Sequence, residues 1–118
     1  MDIPLLDEGE VPLPPDQVRF RSLTAEPYPD GQRVRIRLSL TPFLERPNIE
    51  IELRDPQGAE SGSVTVVESV EASLSMTVHL RDAPQSGEYR AVATLGYPDH
   101  GQIDSTTAVF RLPVEGAD

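Results

Sequence analysis

The residues that could do chemistry are few. The chain has two histidines, His79 and His100, and neither cysteine nor tryptophan. His100 sits in Tyr97-Pro98-Asp99-His100-Gly101, with Asp104 a short step further on. A metal site needs three or four converging ligands, and only these stand close together in the sequence. His79 falls at an outward position of a predicted strand and reads as a surface residue. No nucleophile elbow and no Gly-rich phosphate loop occurs. Glu50 and Glu52 stand two apart, on one side of a strand in water. An acid/base pair would need a cleft that drives two pKa values apart. The expectation is a chain that is not an enzyme, with no catalytic residue, no cofactor and no metal centre.

Composition narrows the classes further. The 118 residues suffice for one ordinary domain and are too few for two. Ten arginines and no lysine stand against 20 acids, for a formal charge of −10. A nucleic-acid binder brings a basic surplus to neutralise phosphate, so nucleic acid is excluded as a partner. No apolar run reaches the roughly 20 residues of a membrane span, and no signal peptide opens the chain. Without cysteine there is no disulfide framework and no thiolate zinc site.

The elements that must position any site follow from the apolar pattern. Residues 1–16, MDIPLLDEGEVPLPPD, hold four prolines, five acids and no base, and read as an extended acidic leader. Its aliphatics Ile3, Leu5, Leu6, Val11 and Leu13 would suit docking on the body or on another chain. From Gln17 the period becomes two. Val34, Ile36, Leu38 and Leu40 alternate with Arg33, Arg35, Arg37 and Ser39. Ile49, Ile51 and Leu53 alternate with Glu50, Glu52 and Arg54; Tyr89, Ala91, Ala93 and Leu95 alternate with Glu88, Arg90, Val92 and Thr94. Such alternation buries one face of a strand and wets the other. Val64 to Leu80 as one strand would run about 55 Å, so it must bend near Glu68 to Ala72. Turn chemistry at Asp30-Gly31, Asp55-Pro56-Gln57-Gly58 and Pro98 to Gly101 separates the segments. Seven strands result, near 18–25, 33–41, 48–54, 63–69, 73–81, 88–96 and 105–112. The body spans 17–113, and 114–118 form a short tail.

Gln85-Ser86-Gly87-Glu88-Tyr89-Arg90-Ala91 resembles the Asp-x-Gly-x-Tyr-x-Cys signature of immunoglobulin-like domains. Gly87 and Tyr89 match; Gln85 replaces the acid and Ala91 the cysteine. The chain is similar to the cysteine-free bacterial and fibronectin type III-like members of that superfamily. The resemblance implies an all-β, two-sheet antiparallel sandwich of about seven strands. It also implies that Tyr89 ties the corner before its own strand through its hydroxyl. Fold alone implies no function.

Two surfaces then stand out. In this fold the second-to-third and sixth-to-seventh strand connections meet at one end. That places Phe43 and Leu44 near Tyr97 and His100, either as a plug for the open end or as a binding tip. Adjacent residues in extended backbone cannot both point inward, so at least one of Phe43 and Leu44 should be exposed. Arg33, Arg35 and Arg37 share one outer face, either paired with nearby acids or docking an acidic partner or the leader. The preferred function is a non-catalytic protein- or peptide-interaction module. The alternatives are a structural unit self-associating through the leader or an edge strand, and a carbohydrate- or metal-binding accessory domain. A native start at Met1 would favour the cytoplasm, and an excised domain a cell surface.

Overall fold

The computed structural model describes residues 11–81 and 85–113. Seven strands carry it: β1 Phe20–Pro27, β2 Arg33–Leu40, β3 Asn48–Arg54, β4 Glu60–Val66, β5 Ser73–His79, β6 Gly87–Tyr97 and β7 Gly101–Leu112. They form two antiparallel sheets, β1-β2-β5 and β4-β3-β6-β7. The protein is an all-β, immunoglobulin-like sandwich. In β2 and β3 the apolar residue at every second position is buried and its neighbours are half-buried or exposed. Val34, Ile36, Ile51, Leu53, Ala91 and Leu95 are fully enclosed where the central strands of the two sheets face each other. A Leu or Ile cut to Ala at such a position costs about 2–5 kcal/mol.

The run from Val64 to Leu80 does bend. β4 and β5 belong to different sheets, and the chain crosses between them through a corner with Glu68 at φ 50°. Ser69 N donates to Pro47 O at 2.9 Å and Glu68 N to Asn48 Oδ1 at 2.8 Å, so the corner is tied to the start of β3. The last two strands reach further than the alternation implied. Tyr97 pairs with Gly101, and a turn of three residues joins β6 to β7, closed by His100 N donating to Tyr97 O.

At the opposite end Tyr89 is buried, its Oη bonded to both Gln85 N (2.7 Å) and Gln85 O (2.9 Å). Asp55 to Gly58 form a turn, with Gly58 N donating to Asp55 O and Gly58 at φ 88°. Residues 11–16, read above as the end of the leader, lie against the body. Leu13 N donates to Pro42 O and Leu13 O accepts from Leu44 N, a parallel bridge to Phe43. Pro15, the first residue of the short 3-10 turn Pro15–Gln17, and Val18 just after it are buried. Residues 1–10 and 114–118 lie outside the described residues.

Candidate functional site

Strand directions gather three connections at one end, here called the upper end: 41–47, 67–72 and 98–100. Leu13 reaches the same end through the bridge to Phe43, with Val11 two residues before it. Five large apolar side chains are exposed among the described residues, and four of them, Val11, Leu44, Val67 and Val70, lie here, each 65–68% exposed. A strand has a core face to offer such residues; a corner has none, so they face solvent. Exposed apolar side chains clustered on loops at one end of a domain are candidates for a contact site.

Between the three connections lies a cleft of about 480 Å³, lined by Glu45, Arg46, Val67, Tyr97 and His100 among others. Tyr97 Oη donates to Glu45 O at 3.0 Å and thereby fixes the 41–47 connection to β6. Burial, and secondarily the Glu45 carboxylate, holds the Tyr97 phenol above its ordinary pKa. The His100 ring meets the Tyr97 ring edge-on, with centroids 6.0 Å apart. Beside the cleft, β6 and β7 approach closely at Gly96, where a Cβ would come within 2.6 Å of Gly101 O.

The structure therefore brings Tyr97 and His100 together and divides Phe43 from Leu44. Phe43 is half-buried, packed against the core beside Leu13. Leu44 faces solvent. Neither lines the cleft; Glu45 and Arg46 do instead. Val67 and Val70 were missed by the sequence reasoning, and Val11 was named only among the leader's docking aliphatics. The signal was present for two of them, since Val67 and Val70 flank the expected bend. Asp104, considered above beside His100, is engaged elsewhere: its Oδ2 accepts from Phe20 N at 2.9 Å. Among the described residues no group of three or more His, Cys, Asp or Glu converges as a metal site would require.

Arg33, Arg35 and Arg37 share the outer face of the three-stranded sheet, with Thr77, Ser75 and His79 of β5 beside them. Their charges are answered within that face. Arg33 Nε meets Asp30 Oδ2 at 2.8 Å, and Arg37 stands 3.6 Å from Glu26. Arg35 donates twice to Tyr28 Oη, at 2.8 and 3.2 Å, and both Arg33 and Arg35 lie over the Tyr28 ring. A backbone bond from Gln32, then the Arg33 guanidinium, lowers the Asp30 pKa; the Thr77 hydroxyl, then Arg35, lowers that of Tyr28.

No protein-family model matches the chain, and no curated protein does. Solved structures do match in fold. A beta-glucuronidase of Bifidobacterium dentium superposes with a TM-score of 0.60 at 18% identity, covering 80% of this chain and 17% of that one. A glycosyl hydrolase family 2 member from Bacteroides cellulosilyticus gives 0.60 at 15% identity, over 80% of this chain and 14% of its own. A beta-glucuronidase of Parabacteroides merdae gives 0.59 at 14% identity, over 80% and 13%. At these identities the likeness is one of fold, and the chain spans less than a fifth of the length of each.

Proposed function

We propose that this chain is a non-catalytic β-sandwich module that takes a protein or peptide partner at its upper end. The observation that carries the reading is the exposure of Leu44, Val67 and Val70 on the connections at one end, with Val67 lining the Tyr97–His100 cleft. Rigid sandwiches present ligands to loops of this kind. A photo-crosslinking residue placed at Leu44 or Val67 is expected to give covalent adducts with another polypeptide in cells. The same residue at Ser75 or Thr107, on the two outer sheet faces, is expected to give few. Equal yields at all four positions, or none at the upper end, would refute the reading.

A second reading is a carbohydrate-related accessory domain. It is supported by the solved neighbours, which are portions of beta-glucuronidases and of a glycosyl hydrolase family 2 member. Against it stands the burial of Tyr89, Tyr97 and Phe110. The apolar face of a sugar ring is held best by an exposed aromatic face. Titration with glucuronides and with oligosaccharides, followed by melting shift, separates the two readings. Calcium and zinc in the same assay address metal binding.

A further inference from the structure

The two lateral sides of the sandwich are finished differently. On one side β1 lies against β7, and Phe20 N reaches across to Asp104. These two edge strands carry Arg21, Glu26, Pro27, Asp104 and Arg111, the charges and proline that keep strand edges from pairing. On the other side β4 and β5 touch only at the lower end. Arg81 N donates to Ser61 O at 2.7 Å, Arg81 meets Glu60 at 2.7 Å, and a Cβ on Gly62 would stand 2.9 Å from His79 O. Above this clasp Val64, Val66, Leu74 and Met76 point inward yet are only half-buried. Among the described residues nothing pairs with the outer edge of β4. From Ser61 to Val67 that edge has no charge and no proline.

We propose that β4 is a self-pairing edge, and that a second copy of this chain adds its own β4 antiparallel to it about a two-fold axis. The segment is complementary to itself. Pairing centred on Thr65 sets Thr65 opposite Thr65 on the outer face, with Ser63 facing Val67 just past the strand's end. On the inner face Val64 meets Val66, and the half-buried valines of both copies close over each other. Such cross-strand pairs of hydroxyl and β-branched residues are favourable, and the contact is isologous, so it closes at two subunits. Each copy carries a formal charge of −10. The copies can approach only where no like charges come directly opposite, and the charge-free stretch of β4 provides such a place. Glu50 and Glu52 of β3 stand one strand further in, beyond about one Debye length of their counterparts at physiological salt. Rising salt is therefore expected to strengthen the association, opposite to an interface built on ion pairs.

The test is sedimentation of the full chain from micromolar to millimolar concentration, at low and high salt. A reversible dimer, tighter at high salt, is expected. Ser63→Lys with Thr65→Lys, both at exposed positions of β4, should abolish it and leave the melting temperature of the dilute monomer unchanged. Thr107→Lys, the same charge change on β7, should leave the dimer intact. The chain has no cysteine, so Thr65→Cys gives a second readout: a disulfide-linked dimer on mild oxidation, absent for Thr107→Cys. A monomer at every concentration and salt would overturn the proposal and leave the edge to another occupant, residues 1–10 or an extended segment of a different protein. A dimer that survives the lysine pair would overturn it too. Neither result touches the upper-end reading, which rests on crosslinks at Leu44 to a different polypeptide; Val67 faces the second copy in the proposed pairing and does not separate the two.

Discussion

The arginine face and the upper end meet solvent in opposite ways. On the face, each guanidinium has a partner of its own: Arg33 with Asp30, Arg37 with Glu26, Arg35 with the Tyr28 hydroxyl. At the upper end Leu44, Val67 and Val70 have none. A surface charge can be answered by a neighbour or by water at little cost, so a row of arginines is self-sufficient. An exposed aliphatic gains only by being covered, and this end offers no more core to cover it. The difference argues that the more conspicuous feature of the sequence is the less informative one. The arginine row is internally complete, while the contact surface is written in scattered valines and a leucine.

The comparison fails if the upper end is a soft, mobile assembly rather than a built one, and Gly96 tests this with the largest expected effect. Gly96→Ala places a methyl 2.6 Å from Gly101 O, backbone that cannot swing aside. We expect a loss of about 1–3 kcal/mol in denaturant unfolding, the range for overpacking. A neutral result would mean that the 98–100 turn gives way freely at the close approach of β6 to β7.

A smaller effect is expected where a single hydroxyl holds each end. Tyr97→Phe removes the bond to Glu45 O and should cost about 1 kcal/mol, one net hydrogen bond. Tyr89→Phe removes a hydroxyl that both donates and accepts at Gln85, and should cost as much or more. Equilibrium unfolding of the two variants side by side ranks the ends. Stability unchanged in Tyr97→Phe would show that the 41–47 connection is not fixed through β6.

The arginine face should respond least. Arg37→Gln leaves a pair that stands 3.6 Å apart and largely exposed, and a change within about 0.5 kcal/mol is expected. Crosslinking at the upper end should be unaffected. If Arg37→Gln abolished those adducts, the face would be part of the contact surface and the contrast drawn above would be wrong.

Much of this fold is legible in the sequence because alternation fixes which side chains are buried. Val34, Ile36 and Leu38 against Arg33, Arg35 and Arg37 give both the strand and its two faces. The bend between Val64 and Leu80 follows from length alone. What is not legible is where the pattern stops being local. Leu13 looks like part of an acidic leader until Pro42 and Leu44 accept and donate its backbone bonds. Glu68 at φ 50° carries no signature, since glycine or asparagine is the usual residue there. The separation of Phe43 from Leu44 follows from the bridge to Leu13, a contact between segments thirty positions apart. The apolar upper end is legible only in part: Val67 and Val70 flank a necessary corner, but the meeting of Val67 with Tyr97 in one cleft is a product of topology.

The finest distinction between the two regions is in their tyrosines. Tyr28, on the arginine face, has its phenol pKa lowered by the Thr77 hydroxyl first and by Arg35 second, both of which favour the phenolate. Tyr97, at the upper end, is raised by burial and by the Glu45 carboxylate, both of which favour the neutral phenol. Difference absorbance between the wild type and each Tyr→Phe variant isolates the two titrations. Tyr28 should ionise below the ordinary tyrosine value of 10.0 and Tyr97 above it. The stability consequences have opposite signs. For Tyr97 the unfolded chain loses its proton first, so its contribution is present below the unfolded value and lost as pH rises through the folded one. For Tyr28 the folded chain loses its proton first, so its contribution is present above the unfolded value and lost as pH falls through the folded one. Tyr97→Phe should therefore flatten the alkaline fall in melting temperature, and Tyr28→Phe should steepen it. Two variants that shift the alkaline limb in the same direction would mean that the two phenols sit in like environments. The contrast drawn between the two tyrosine environments would then have to be withdrawn.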